Sequence, residues 1–384
     1  MQIDFVKHNE ETKMVWDAYH ADNPIRVPVG NFTIGPRIWL LDPKLNTEGI
    51  TFHDFQYNFD TMFDVQLKYK YHLAHNIIFD QIMGIPEEGW EVFVEYNNVT
   101  EAIWFGCESF IPEGQIIATR HRYGGDNKNE IFDLGMPEPN SGIYATVFEN
   151  YEYFVEKARN YEFCNKSVSV ALPWTTLGTD GPLTVALDIR GDEIYTDMYL
   201  DEEYYDKLMT FIVDATINKV KYWRNRLGLE LKPKEGGFAD DAIQLISTDT
   251  YMEKVYPYHK KILDELYDGG PFSMHLCGDV QRHFPTIIEK LNINHFDTGF
   301  PINFETLRSE IGEDIHINGG VRVDILLHGT PQDVKAEAKR VLESGVTRGG
   351  KFILKEANNV PPRVPLENFY AMYSAAKEFG VYER

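Results

Sequence analysis

The chain contains little cysteine and no long apolar run. Three cysteines, Cys107, Cys164 and Cys277, are scattered over 384 residues, which is too few for a disulfide framework. No segment approaches the roughly 18 uninterrupted apolar residues of a transmembrane helix. The N-terminal stretch MQIDFVKHNEETK lacks the apolar core of a secretory signal. These absences predict a cytoplasmic protein with reduced thiols and no membrane association.

Basic residues are scarce relative to acidic ones. The chain has 37 Lys and Arg against 60 Asp and Glu, for a formal net charge of −23. A nucleic-acid partner needs a basic face that displaces phosphate counterions, and none is visible. A polyanionic substrate would need a local arginine cluster against this background charge. The composition therefore favours a well-solvated enzyme surface, and the aromatic content of 14% suits either a deep ligand pocket or a large core.

The second half of the chain alternates strand-like and helix-like runs. Residues 200–228 predict a long helix with Asp201 as its N-cap. The run GTPQDVKAEAKRVLESGV predicts another helix, capped by Thr330 and with Pro331 in its first turn. Repeated β-then-α units of roughly 30–45 residues predict a (β/α)8 barrel. A doubly wound open sheet is the alternative.

Polar side chains follow several of the predicted strands. In SMHLCGD, His275 and Cys277 lie two positions apart, so on a strand they point to the same side. Spacing alone leaves open whether they are metal ligands or core residues. Of Asp240 and Asp241, one must face away if the segment is extended. His283, on the helix that follows, is expected at the surface. In a barrel the chemistry belongs at the C-terminal strand ends, where the candidates are Asn97, Asn98, Asp240, Asp241, His275, Cys277, Asp297, Asn318, Glu356 and Asn358.

Five segments resemble the uroporphyrinogen decarboxylase superfamily in their order and spacing. They are GPLTVA, ADDAIQLISTDTYMEKVYPYHKKI, MHLCGD, GTPQDV and GGKFILKEANNVPPRVPLENF. The resemblance runs over nearly the whole second half of the chain. It implies one (β/α)8 barrel domain over residues 1–384, with a deep cleft at the strand C-termini and residues 1–25 as an N-terminal helical extension.

The branch that decarboxylates porphyrinogens resembles this chain poorly. Its arginine-rich substrate loop is reduced here to Arg26 and Arg37. The aspartate that holds its pyrrole nitrogens falls at Asn97, and an uncharged amide does not stabilise a protonated pyrrole as a carboxylate does. The family histidine on the closing strand falls at Asn358. Decarboxylation of a porphyrinogen-like substrate is kept as an alternative, beside a ligand-binding barrel without catalysis.

The branch that transfers methyl groups to or from a corrinoid is more similar. His275 and Cys277 match its zinc-binding pair, while its second cysteine falls at or beside Asn358. The resemblance implies a zinc site completed by a carboxylate, either Glu356 or one of Asp240 and Asp241.

The resemblance thus implies a zinc-assisted methyltransferase. It would move a methyl group from a small methoxy or methylamine compound to a corrinoid, either free or on a carrier protein. The expected catalytic acids are Asp240, Asp241 and Glu356, and the expected substrate contacts are Asn97 and Asn358. The expected metal ligands are His275, Cys277 and Glu356. A homodimer is compatible with the sequence.

Overall fold

A five-stranded parallel sheet forms the centre of the second half of the chain. The computed structural model describes residues 3–382, and the sheet order is β10-β9-β8-β7-β6. A second sheet has the order β1-β5-β4, and β2 pairs with β3. The strands are β1 (Trp90–Val92), β2 (Glu108–Phe110), β3 (Ala118–Arg120), β4 (Glu162–Phe163), β5 (Lys166–Val170), β6 (Gly237–Ala239), β7 (Phe272–Leu276), β8 (Ile293–Thr298), β9 (His316–Val321) and β10 (Phe352–Glu356).

Both edges of the five-stranded sheet continue into short extended segments. Val29 bridges Leu354 of β10 in parallel, and the Ala239 N–H of β6 donates to the Thr179 carbonyl at 3.4 Å. Every residue of β10 is buried, as expected for a parallel strand that is covered on both faces. This arrangement confirms the predicted α/β class and is consistent with the (β/α)8 barrel.

Helices connect the strands of the three sheets. Within residues 3–382 no helix combines the length and the apolar character needed to cross a bilayer. The helices are α1 (Phe5–His20), α2 (Arg37–Leu40), α3 (Phe52–Tyr57), α4 (Phe59–Asn76), α5 (Thr100–Trp104), α6 (Glu130–Leu134), α7 (Ile143–Ala158), α8 (Trp174–Leu177), α9 (Pro182–Arg190), α10 (Glu193–Leu200), α11 (Glu202–Arg226), α12 (Thr248–Lys254), α13 (Tyr256–Leu266), α14 (Phe284–Leu291), α15 (Phe304–Ile311), α16 (Val323–His328), α17 (Pro331–Glu343) and α18 (Leu366–Phe379).

The two helices with the strongest local signals form where the sequence predicts them. The Asp201 side chain accepts from the Tyr204 N–H at the start of α11. Thr330 forms a capping box with Asp333 at the start of α17. These bonds satisfy N–H groups that the first helical turn leaves without intrahelical partners. Hydrogen bonds between residues three positions apart therefore define both helix starts without a tertiary contact.

The N-terminal segment contains one long helix. Residues 5–20 form α1, within the predicted helical extension of residues 1–25. The Trp16 indole N–H of α1 donates to the Asp80 carbonyl at 2.7 Å. The Asp80 carboxylate in turn binds the buried Arg26 guanidinium through Oδ1 at 2.6 Å. This chain of contacts attaches α1 to the extended segment that borders β10.

Candidate metal centre

A cavity of about 700 Å³ opens at the C-terminal ends of β6, β7 and β8. This is the end of a parallel sheet at which α/β proteins place their ligands. Aromatic, amide and acidic side chains dominate its wall, with a single arginine. The wall includes Phe32, Phe52, Phe55, Phe93, Trp174, Glu95, Asp180, Asp241, Asp297, Asn97, Asn98, Asn358, Asn359, Arg37, His275 and Cys277.

Three side chains in this wall form a compact cluster of metal-ligating atoms. One ligand atom each from Asp241, His275 and Cys277 lies within 4.8 Å of the others. The Cys277 Sγ donates to Asp241 Oδ2 at 2.7 Å, and the Cys277 backbone N–H donates to Asp241 Oδ1 at 2.7 Å. His275 Nε2 lies 3.9 Å from Asp241 Oδ2. The carboxylate that joins His275 and Cys277 is therefore Asp241.

Strand register explains why these three residues meet. In the parallel pairing of β6 with β7, Ala239 lies opposite His275, so Asp241 follows at the level of Cys277. Gly299, just after β8, leaves room on the other side, because a Cβ there would lie 2.4 Å from the Cys277 Cβ. The pairing of β6 with β7 and the close packing of Gly299 against Cys277 thus bring the three side chains together.

A second carboxylate orients the histidine. His275 Nδ1 lies 2.7 Å from Asp297 Oδ2, and Asp297 Oδ1 accepts from the Lys355 Nζ at 2.9 Å. Burial alone would lower the pKa of His275, but the hydrogen bond to Asp297 and its charge raise that pKa overall. With Nδ1 bonded to a carboxylate, Nε2 is left to face Asp241. This is the usual arrangement around a histidine that binds zinc.

The Cys277 thiol is held in its protonated form without a metal. Burial, the charge of Asp241 and the hydrogen bond to it together raise the pKa of Cys277. A divalent cation at this point would reverse the effect, because a coordinating thiol is deprotonated. A cation held by this cluster would therefore replace the thiol proton.

The structure corrects the prediction that Asp240 is a catalytic acid and shows it in a positioning role. It is fully buried and lies outside the described cavity wall. Its carboxylate accepts from the Leu183 N–H at 3.0 Å, the Thr184 N–H at 2.8 Å and the His259 Nε2 at 2.8 Å. Asp240 therefore caps the start of α9, while Asp241, the first residue of a 3-10 turn after β6, faces the cavity.

Close packing at one glycine keeps Asp240 in this place. Gly181 has φ +92°, and a Cβ there would lie 2.0 Å from the Ala239 carbonyl oxygen and 2.5 Å from the Asp240 Cβ. A side chain is therefore excluded where α9 meets the end of β6.

The structure also places Glu356 away from the cavity, so the prediction that it is a metal ligand and catalytic acid is corrected. Its side chain is fully buried, its Oε1 accepts from the Thr33 N–H at 2.8 Å, and it lies outside the ligand cluster. The expectation relied on extended alternation from Glu356 to Asn358. Asn358 has φ 144° and lines the cavity, whereas Glu356 does not.

The burial of Glu356 predicts a pH-dependent stability. Burial raises the pKa of this carboxyl to about 7 from 4.5, although the Lys355 charge opposes the shift. The folded state therefore binds the proton more tightly than the unfolded state, and stability is lost as the pH rises from about 4.5 to about 7. We expect Glu356→Gln to increase the free energy of unfolding by roughly 2–3 kcal/mol more at pH 8 than at pH 5. Urea unfolding at the two pH values checks this, and an equal effect at both would contradict it.

Asn97 and Asn358 both lie in the cavity wall, as predicted for substrate contacts. Asn97 has φ 51°, and its N–H donates to Glu95 Oε1 at 2.9 Å. The turn at the end of the β1 segment therefore presents an amide and a carboxylate side by side. Their contact with a substrate stays a prediction.

Two acids of the cavity wall, Asp180 and Glu95, were not predicted from the sequence, and the predicted surface position of His283 was wrong. Asp180 and Glu95 line the cavity, although neither belongs to a recognisable motif. The only signal was the position of Asp180 directly before GPLTVA. His283 is fully buried rather than at the surface, and its Nε2 lies 3.1 Å from the Ile243 carbonyl, beneath the turn that begins at Asp241.

A buried ion pair holds the loop that carries Asp180. The Lys219 Nζ donates to Glu101 Oε1 at 3.0 Å and to the Gly178 carbonyl at 2.9 Å. Glu101 Oε2 accepts from the Thr179 hydroxyl at 3.0 Å and from the Asp180 N–H at 2.9 Å. Burial, followed by the charge of Glu101, raises the pKa of Asp180 to about 8. The loop is thus fixed by charge-assisted hydrogen bonds while the Asp180 carboxyl itself faces the cavity.

The fold and this cluster define an α/β protein with a histidine, cysteine and carboxylate site at the strand C-termini. The sequence model of the uroporphyrinogen decarboxylase (URO-D) family matches residues 175–379, which is more than half of the chain. The chain belongs to this family.

The curated relatives of the chain are methyltransferases. The methylcobamide:CoM methyltransferase MtbA of Methanosarcina mazei is 25% identical over 207 residues, covering 52% of this chain and 56% of the relative. MtbA of Methanosarcina acetivorans is 26% identical over 208 residues with the same coverage. A methylated-thiol--coenzyme M methyltransferase of M. mazei is 33% identical over 136 residues, 35% of this chain and 34% of the relative. The chain thus spans about half the length of the first two relatives, both of which are methylcobamide:CoM methyltransferases.

A solved structure supports the fold. A methyltransferase from M. mazei superposes with a TM-score of 0.64 at 19% identity, covering 96% of this chain and 98% of the other. At this identity the likeness extends to the fold alone.

Proposed function

We propose that this protein transfers a methyl group from a small methylated compound to a corrinoid on a carrier protein, assisted by zinc. The cluster of Asp241, His275 and Cys277 is the observation that carries the proposal. The methylcobamide:CoM and methylated-thiol transferases among the relatives support the reaction class.

The donor set fits zinc. Zinc favours imidazole nitrogen, thiolate and carboxylate oxygen, and catalytic sites use three protein ligands with a fourth position left open. One thiolate and one carboxylate, from Cys277 and Asp241, balance the two charges of the ion. The cavity borders the cluster, so an open position would face the substrate.

Each polar residue around the cluster has a role in this proposal. Asp297 fixes the ring of His275 through Nδ1 at 2.7 Å, and Lys355 holds Asp297 in turn at 2.9 Å. Asn97 and Asn358 line the same cavity, and in this proposal their amides contact the substrate. Zinc bound here would act as a Lewis acid on the oxygen or nitrogen that leaves the methyl group.

Decarboxylation of a porphyrinogen-like substrate is not favoured. Such a substrate carries many carboxylates, and the described cavity wall contains one arginine, Arg37, against four acids. A location in the cytoplasm, a homodimer and a single-domain organisation stay predictions.

The adjacent aspartates give a matched test of the zinc site. We expect Asp241→Asn to lose zinc, because an amide is a poor zinc ligand. Asp240→Asn should keep one zinc per chain and lower stability instead, because it weakens the cap of α9. Metal content of the two purified variants and their thermal unfolding check this. Equal zinc in both would contradict the assignment of Asp241.

Asp297→Asn tests the support of the histidine. The variant should keep all three ligands and bind zinc about 10- to 100-fold more weakly, as found when a carboxylate partner of a zinc-bound histidine is removed. Competition with a chromophoric chelator measures this affinity. An unchanged affinity would show that Asp297 does not orient the site.

A further inference from the structure

One part of the cavity wall combines aromatic rings with a carboxylate. Phe52 and Phe55 of α3 and Phe93 after β1 line it, together with Glu95. The Gln56 side chain donates to the Glu95 carbonyl at 3.1 Å, which fastens α3 to the strand that carries Glu95. The rings and the carboxylate therefore belong to one fixed surface.

The Glu95 carboxylate leaves one oxygen open to the cavity. The residue as a whole is only 9% exposed, and it lines the cavity. Its Oε1 accepts from the Asn97 N–H at 2.9 Å, while Oε2 accepts no hydrogen bond from residues 3–382. This second oxygen is therefore available to a ligand that enters the cavity.

Asp180 adds a second carboxyl without a partner. Its side chain lines the same cavity and accepts no hydrogen bond within the described part of the chain. Burial raises the pKa of both acids, and the charges of Lys70 near Glu95 and of Lys219 near Asp180 offset only part of the effect. A cation inside the cavity would supply the missing charge.

Acidic groups outnumber the arginine of the described wall. Arg37 donates to the Val360 carbonyl at 3.1 Å, and it lines the cavity together with four acids, Glu95, Asp180, Asp241 and Asp297. The positive charge of Lys355 is paired with Asp297 at 2.9 Å. The balance of ionisable groups on this wall therefore favours a cation over an anion.

We infer that the substrate of this cavity carries a positively charged nitrogen, which Glu95 and the surrounding phenylalanines bind while the methylated atom faces the metal centre. Aromatic faces and carboxylates together bind alkylated ammonium groups, because such cations are attracted to the ring faces and are weakly hydrated. A cation bound there would also favour the ionised form of the Asp180 carboxyl. The inference rests on the proposed function for the location of the methyl group, but the charge preference is measured independently of methyl transfer.

Three compounds that share a hydroxyethyl group test the charge preference. Choline carries a trimethylammonium group, 3,3-dimethylbutan-1-ol replaces its nitrogen by carbon, and isethionate carries a sulfonate. Calorimetric titration of the full chain, with and without zinc, should show choline binding about 10- to 30-fold more tightly than the neutral compound. Isethionate should bind more weakly than either.

Two variants test whether the preference for a cationic ligand comes from the cavity. Glu95→Gln keeps the shape of the side chain and should abolish most of the preference for choline over its neutral analogue. Asp314→Asn removes an exposed acid at the start of β9, at the opposite end of the sheet, and should leave the preference unchanged.

Three outcomes would overturn the inference: equal binding of choline and 3,3-dimethylbutan-1-ol, tightest binding of isethionate, or no choline binding at millimolar concentration. Tightest binding of isethionate would identify Arg37 as an anion anchor instead. Failure of the proposed function has a different signature, namely no zinc at the cluster or no methyl transfer, so the two are distinguishable.

Discussion

Replacement of Cys277 by alanine is expected to remove the bound zinc and to lower methyl transfer by on the order of a hundredfold or more. Cys277 supplies the thiolate of the cluster, and its Sγ lies 2.7 Å from Asp241 Oδ2. Without it, one nitrogen and one carboxylate are left, which is fewer protein ligands than catalytic zinc sites use. Metal analysis and a methyl-transfer assay measure the two effects.

A second cysteine provides the control for this experiment. Cys164 is exposed and lies in the turn between β4 and β5, away from the cavity wall. We expect Cys164→Ser to keep both zinc and activity. Full zinc occupancy in Cys277→Ala would contradict the assignment, since no other described cysteine lines the cavity.

Replacement of Lys219 by methionine is expected to lower the free energy of unfolding by about 3–5 kcal/mol. Both members of its ion pair with Glu101 are buried, and the two atoms lie 3.0 Å apart. The variant would leave the Glu101 carboxylate without its cation and would loosen the loop that carries Asp180. Urea unfolding measures the loss. Because the penalty comes from an unpaired charge, Glu101→Gln together with Lys219→Met should recover part of it.

A lysine on the same helix gives the matched control. Lys221 forms an ion pair with Glu265 at 2.5 Å, with side-chain exposures of 39% and 48%. Exposed pairs of this kind contribute about 0–1 kcal/mol. Lys221→Met should therefore change the stability by no more than that. A similar loss in both variants would show that the effect of Lys219 does not come from its buried charge.

Local patterns were enough to predict that His275 and Cys277 face one side and that two helices are capped, whereas the metal-binding role of the pair came from the family resemblance. Alternation along β7 puts both side chains on one side, and the capping box of Thr330 depends on residues within one turn. These features involve neighbours in the sequence. They do not depend on how distant elements pack.

The third ligand could not be chosen from the sequence, because tertiary packing decides it. Asp240 and Asp241 are adjacent carboxylates that the sequence does not distinguish. Only the packing of α9 and His259 shows that the Asp240 carboxylate is buried and already hydrogen-bonded. From the sequence, Glu356 was as good a candidate for the third ligand as the two aspartates. The backbone at Asn358, with φ 144°, departs from the extended strand that would have put Glu356 and Asn358 on the same side. The burial of His283 likewise depends on the turn that covers it.

The departure at Asn358 has a chemical consequence. In the proposed zinc site, a carboxylate at Asp241 in place of the expected second cysteine would keep the charge balance of the ion and replace a soft ligand by a hard one. A zinc ion with fewer thiolates would accept electron density more readily from an oxygen or nitrogen of the substrate. Such a ligand set would suit the proposed activation of a small methylated compound.

X-ray absorption at the zinc edge of the purified protein tests the central claim most directly. We expect about one zinc per chain, with one sulfur neighbour at about 2.3 Å and the remaining nitrogen or oxygen neighbours at about 2.0–2.2 Å. Loss of the zinc itself in Cys277→Ala would complete the assignment. Absence of stoichiometric zinc, or a first shell with two or more sulfur atoms, would contradict it.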